Sequence, residues 1–209
     1  MFGLYDRFVL PHLVNCTCGS GPIQKQRQKV VPLAHGVVLE VGIGTGRNLP
    51  FYDVTKVERL IGVDPSAASW ALAQDRAEQC GVDVDFRALS GEQLPLDDHS
   101  VDCAVVTYAL CAIPNPTAAL HEMRRVLRSD GVLLFCEHGR APAGHVQRWQ
   151  DRLNPAWKPF AGGCHLNRDV LQMLDDGGFD VVDHDAMYLP GTPKIAGYNV
   201  WGRARPTSA

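Results

Sequence analysis

The chain lacks several features that would assign it early to a class. No run of apolar residues approaches the ~20 needed to span a bilayer, so stable membrane insertion is not expected. Basic charge is not in excess: 20 Lys and Arg stand against 23 Asp and Glu, for a net charge of -3. That balance leaves no electrostatic footprint for nucleic acid. The 7 cysteines are odd in number and scattered through apolar segments. This pattern suits a reducing cytoplasm better than a disulfide framework. No linker or internal repeat divides the chain, so a single domain over residues 1–209 is expected.

What is present is a β-α rhythm. The runs GVVLEVG (36–42), RLIGVD (59–64), VDVDFRAL (82–89), VDCAVVTYA (101–109) and GVLLFCEH (131–138) are almost continuously apolar, as buried parallel strands are. Between them, residues 65–81 and 116–131 read as helices that open at proline and close at glycine. After residue 138 a longer excursion, 139–165, precedes a helix at 167–179 and strands at 180–189 and 195–204. The alternation predicts an α/β, doubly wound, mostly parallel sheet with helices on both faces. Residues 1–33 are read as an N-terminal helical cap whose Leu4, Phe8 and Val9 dock on the domain. Its mixture of acid, base and proline is unlike a secretory signal.

The sharpest local signal is VVLEVGIGTGRN, in which Gly42, Gly44 and Gly46 follow a strand. Glycines serve where a strand-to-helix turn must carry its backbone close to a ligand. The spacing is G-x-G-x-G, not the G-x-G-x-x-G of dinucleotide sites, and Glu40 stands at the strand end. A carboxylate there repels pyrophosphate and suits an ammonium group. Asp64, ending the second strand, is placed to accept hydrogen bonds from ribose hydroxyls. An adenosine with a charged amino acid tail meets both demands, which makes S-adenosylmethionine the expected cofactor.

The segments LEVGIGTG, IGVDPS, SGEQLPLDDHSVD and EMRRVLRSDGVLLFCEH resemble the class I S-adenosylmethionine-dependent methyltransferases. They are similar to the subgroup that contains quinone C-methyltransferases. That resemblance implies a Rossmann-like seven-stranded sheet. It implies that Pro65 joins Asp64 at the cofactor, that Ser90, Gly91 and Glu92 pass the adenine edge, and that Thr107 and Tyr108 lie beside the methionine portion. YDRFVLP, TYALCAIPNP and the 139–165 excursion further resemble small-thiol S-methyltransferases. The acceptor implied is a small thiol such as sulfide or methanethiol. A quinol, phenol or phospholipid headgroup, or a non-catalytic role as a sensor of the cofactor, are the other readings.

Thiol methylation is an in-line displacement that needs alignment and water exclusion but no metal. A base or cationic neighbour raises the thiolate fraction of the acceptor. His138, just past the fifth strand, and His165, after the excursion, are the two candidates. Tyr5 and Tyr108 are candidates to orient the acceptor. Val146, Trp149, Leu153, Trp157 and Phe160 repeat at helical spacing in the excursion and are expected either to roof the pocket as a lid or to pack on the sheet. Cys16, Cys18, Cys164 and His165 would make four zinc ligands, but C-x-C is an unusual spacing, and no metal is expected. Cys164 is expected to pack or line the pocket, and Asn167 to cap the following helix. Oligomeric state is left open.

Overall fold

A computed structural model describes residues 3–207. The N-terminal segment forms three short helices, α1 (Gly3–Phe8), α2 (Leu10–Cys18) and α3 (Gly21–Val30). Next come β1 (Gly36–Val41), β2 (Val57–Val63), α4 (Ala67–Ala71), α5 (Gln74–Gln79), β3 (Val84–Arg87) and β4 (Val101–Thr107). The second half holds α6 (Pro116–Val126), β5 (Leu127–His138), α7 (Gly144–Phe160), α8 (Val170–Asp176), β6 (Phe179–Tyr188), α9 (Lys194–Gly197) and β7 (Tyr198–Pro206).

The strands form one seven-stranded sheet in the order β3-β2-β1-β4-β5-β7-β6. The first five in that order run parallel, and β7 pairs antiparallel with both β5 and β6. This is the doubly wound sheet that the continuous apolar runs predict. Leu39, Val106, Leu133 and Phe135 bury one face beneath α6 and α8, and Val38, Leu60, Val105 and Leu134 bury the other beneath α3. A fully buried side chain such as Phe135 contributes roughly 2–3 kcal/mol, so the strands rest on this two-sided burial and not on propensity.

Strand order reverses between β1 and β4, where Val41 lies beside both Val63 and Val106. At such a switch point the connections leave in opposite directions and open a crevice beyond the carboxyl ends of the strands. The glycine loop and Thr107 are therefore side by side in space.

Several boundaries differ from the sequence reading. The helix expected over 65–81 is split into α4 and α5; Ser66 caps α4 by accepting the Ser69 amide. The helix expected to reach Gly131 ends at Val126, because Leu127 turns extended, is wholly buried and pairs with Val101. Asp169, and not Asn167, caps α8, its side chain accepting from the Gln172 amide, while Asn167 bonds Asp151. Leu4, Phe8 and Val9 are exposed, Leu4 at 77%, so the cap is not held through them. The α7 stripe behaves similarly. Val146 is buried, but Trp149, Leu153, Trp157 and Phe160 are left between 37% and 65% exposed. What seats α7 is the buried Gln150, which accepts from the Ala141 amide and shares the two hydrogens of its Nε2 among the carbonyls of Gly139, Leu166 and Ile195. A buried amide with every bond made fixes register more sharply than a stripe of rings.

Candidate active site

The glycine loop leaves β1 with positive φ at Gly42 (+77°), Gly44 (+50°) and Gly46 (+68°). The Gly42 and Ile43 amides both reach the Val63 carbonyl at the end of β2. A Cβ on Gly42 would lie 2.4 Å from that of Ala109, so only glycine lets β1 and the loop after β4 meet. One on Gly44 would meet nothing nearer than Asp64 Oδ2 at 3.7 Å, which leaves an open cradle above that residue. Asp64 closes its edge: Oδ2 accepts from the Gly44 amide at 3.0 Å and Oδ1 from the Ser66 amide at 2.8 Å. Burial pushes its pKa up against these two bonds. Both oxygens keep a lone pair for a diol. Pro65 follows as an exposed residue of the same turn.

Ser90 and Glu92 form a small turn of their own. The Ser90 hydroxyl donates to Glu92 Oε2, and Glu92 Oε1 accepts from the Asn115 amide at the head of α6. Gly91 sits where a Cβ would strike Val41, so this turn rests directly on the end of β1.

Beneath the crevice the residues are knitted together in a way the sequence did not suggest. Arg27, buried on α3, donates to Asn48 Oδ1 at 2.8 Å and to Thr107 Oγ1, and its guanidinium lies 4.9 Å from the Tyr108 ring centroid. Asn48 donates to Glu40 Oε1 and to Thr107, and the Tyr52 hydroxyl donates to Glu40 Oε2 at 2.7 Å. Glu40, expected to meet an ammonium group, is thus 2% exposed and held by Asn48 and Tyr52. Burial raises its pKa to about 7, against the opposing pull of Tyr52, Arg27 and Asn48. The Thr107 hydroxyl oxygen likewise accepts from Arg27 and Asn48. Arg27 Nε has no partner among the described residues, a buried donor that a ligand carboxylate would satisfy. Arg27, Asn48 and Tyr52 were missed because each lies in an ordinary polar stretch with no spacing signal.

Tyr108, just past the end of β4, has φ +53°, an uncommon conformation for a tyrosine and one that collects at functional sites. Its hydroxyl donates to Asn199, the buried residue opposite His138 in β7. The loop that follows is rigidly held. Glu137 Oε1 accepts from the Ala109 and Leu110 amides, Arg168 donates to the carbonyls of Leu110 and Ile113, and the His165 amide donates to the Cys111 carbonyl.

The two histidines separate here. His138 Nε2 lies 3.1 Å from Cys164 Sγ, and Cys111 completes a trio whose ligand atoms all lie within 4.8 Å of one another. His165 enters this region through its backbone, and its ring is not among the three. Cys111 hydrogen-bonds Cys164 and, with His138 and the Trp157 indole, holds the Cys164 thiol below its ordinary range although burial opposes this. That bond to Cys164, together with burial, drives Cys111 upward. Burial works against a charged His138, but the Cys164 bond and charge outweigh it and the ring's pKa is raised. Tyr5 lies elsewhere: its hydroxyl donates to the Phe160 carbonyl at 2.6 Å and ties α1 to the end of α7.

A glycine loop at the switch point of a doubly wound sheet, with an acid just after the next strand, belongs to a Rossmann-like fold. Residues 39–135 match the methyltransferase domain family. Thiol S-methyltransferase TMT1B of Rattus norvegicus is 33% identical over 168 residues, covering 77% of this chain and 68% of that protein. Phosphatidylethanolamine N-methyltransferase of Cereibacter sphaeroides is 31% identical over 157 residues, covering 73% and 74%. The crystal structure of the YcgJ protein from Bacillus subtilis superposes with a TM-score of 0.67 at 19% identity, covering 84% of this chain and 94% of that one. The chain belongs to the class I S-adenosylmethionine-dependent methyltransferases, and S-adenosylmethionine is its methyl donor. No helix among the described residues is long and apolar enough to cross a membrane.

Proposed function

We propose that the methyl acceptor is the sulfur of a small thiol, of the class of sulfide, methanethiol and other alkyl thiols. The observation that carries this reading is the polar trio at the carboxyl edge of β4 and β5, in a chain one-third identical to a thiol S-methyltransferase over most of its length. The proposed setting is a reducing cytoplasm, in keeping with seven free thiols.

When bound, S-adenosylmethionine supplies a methyl carbon on a positively charged sulfur, open to in-line displacement. The chain's residues do the rest. Asp64 takes the ribose hydroxyls, with Pro65 shaping its turn, and the Ser90–Glu92 turn borders the adenine. Gly42, Gly44 and Gly46 admit the ligand close to the backbone, and Glu40 and Thr107 hold Arg27 and Asn48 in place. Arg27 offers its free Nε–H to the methionine carboxylate. Tyr108 forms the wall between this half and the acceptor half. His138, held against Cys164, gives the acceptor half a proton-exchanging, positively charged group that favours a thiolate. Tyr5 acts at a distance by fastening α1 over α7, and the His165 backbone braces the Cys111 loop. Residues 139–165 act as the cover of the acceptor half and residues 1–33 as its outer cap, all within one domain.

A second reading, transfer to the amine of an ethanolamine headgroup, draws on the Cereibacter relative and on the exposed apolar residues of α1, α2 and α7. Methyl-labelled cofactor offered with methanethiol, with a quinol and with ethanolamine lipid vesicles separates them. Label on methanethiol is expected. Label confined to lipid or quinol overturns the thiol reading, and binding without turnover on any acceptor makes the protein a sensor.

A further inference from the structure

We propose that Cys111, His138 and Cys164 form a preorganised site for a soft divalent cation of the Zn²⁺ class, with one coordination position left open at the acceptor half. The zinc set expected to be excluded, Cys16, Cys18, Cys164 and His165, is not this one. The fold replaces it with ligands from three separate segments. Cys111 comes from the loop after β4, His138 from the end of β5, and Cys164 from the turn after α7.

Three observations carry the site. First, the donor set is right: two cysteine sulfurs, which release their protons to water as the ion binds, and an imidazole suit a soft or borderline ion, and three protein ligands with a vacant fourth position are the pattern of catalytic zinc. Second, the spacing is right. Tetrahedral zinc with bonds of about 2.0–2.3 Å separates its ligand atoms by roughly 3.5–3.8 Å. The trio lies within 4.8 Å, and the His138–Cys164 pair at 3.1 Å needs to open by only a few tenths of an ångström. Third, the ligands are fixed before any ion arrives. Arg168, Glu137 and the His165 amide hold the Cys111 loop. Gly162 (φ +61°) and Gly163 (φ +84°) make the sharp turn that delivers Cys164, with Leu10 packed where a Gly162 Cβ would stand. His138 is placed by the β5–β7 ladder opposite Asn199.

Resting on the thiol reading, the open position is where the acceptor binds; with the ion in place His138 is a neutral ligand, and the cation supplies the positive charge that favours the thiolate. A thiol entering it loses its proton to water, because coordination lowers its pKa, and its sulfur is then held as a metal thiolate beside the donor cleft. No electrons are transferred, and the ion keeps its charge throughout.

The test uses the full-length protein, reduced with a phosphine, stripped with a chelator and titrated with Co²⁺ without air. One equivalent is expected to bring up a sulfur-to-cobalt charge-transfer band with the intense visible bands of a tetrahedral site, both abolished by excess Zn²⁺. Cys164→Ser, at the less buried cysteine, and Cys111→Ala each weaken Co²⁺ binding by at least about 100-fold, on the order of one ligand's share of a zinc site. A circular dichroism spectrum checks that each variant folds. Absence of the band, or a band unchanged in both variants, overturns the site. Methanethiol should shift the band, and an unshifted band overturns the open position. Full thiol methylation by stripped protein with no cobalt band sinks the metal and leaves the thiol reading standing. A cobalt band in a protein that never methylates thiols does the reverse.

Discussion

Asp64 holds Gly44: its Oδ2 accepts the Gly44 amide at 3.0 Å, so the acid expected to meet the ribose also locks the glycine loop to the end of β2. Asp64→Ala therefore removes a ligand contact and a loop tether together. Calorimetric titration with S-adenosylmethionine is expected to show affinity down by at least about 30-fold, the scale of a lost bond or two to a charged group. Unchanged affinity would refute the ribose assignment.

Gly42→Ala tests the turn itself. The residue has φ +77°, and a Cβ there would stand 2.4 Å from that of Ala109. Left-handed strain alone costs about 1–3 kcal/mol, and the clash adds to it. Urea denaturation should show a lower midpoint with an unchanged slope, and cofactor binding should be lost. A wild-type midpoint would mean the strand ends move apart freely.

Arg27→Met should raise the KM for S-adenosylmethionine by about tenfold or more, with little change in the KM for the acceptor. Arg27→Lys should not rescue it, since a single ammonium cannot serve Asn48, Thr107 and a carboxylate while stacking on Tyr108. Full activity in the lysine variant would remove Arg27 from the cofactor site.

Glu40 makes stability depend on pH. Burial raises its folded pKa from 4.5 to about 7, so the folded chain binds this proton more tightly than the unfolded one. Its contribution is fully present below pH 4.5 and is lost as pH rises to about 7. The loss is on the order of 3 kcal/mol. Cofactor-free protein should melt at progressively lower temperature from pH 5 to pH 8, in ~1-unit steps, and Glu40→Gln should flatten that slope. An identical slope in the variant would show that Glu40 does not carry it.

The fold was legible where a local pattern has a single physical solution. Runs such as VDCAVVT and GVLLFCEH are apolar on both faces because helices cover both sides of the sheet, and they read as buried parallel strands directly. Helical spacing showed that the α7 stripe shares a face but not which way it points, and the exposure of Trp149, Leu153, Trp157 and Phe160 argues against packing on the sheet. Gln150, a single amide, decided that instead. Leu127 was placed in a helix because local propensity carries no information about its pairing with Val101.

By itself the sequence determined the parallel sheet, the glycine turn after β1 and the acid that follows β2. These are short-range consequences of periodicity, backbone freedom and charge. The tertiary structure alone decided that Arg27 lies beneath Thr107 and Tyr108, that Glu40 turns inward to Tyr52, and that Cys111, His138 and Cys164 converge. Those pairs come from distant segments, and side chains far apart in a chain acquire a common chemistry only when strand order and loop anchors bring them together.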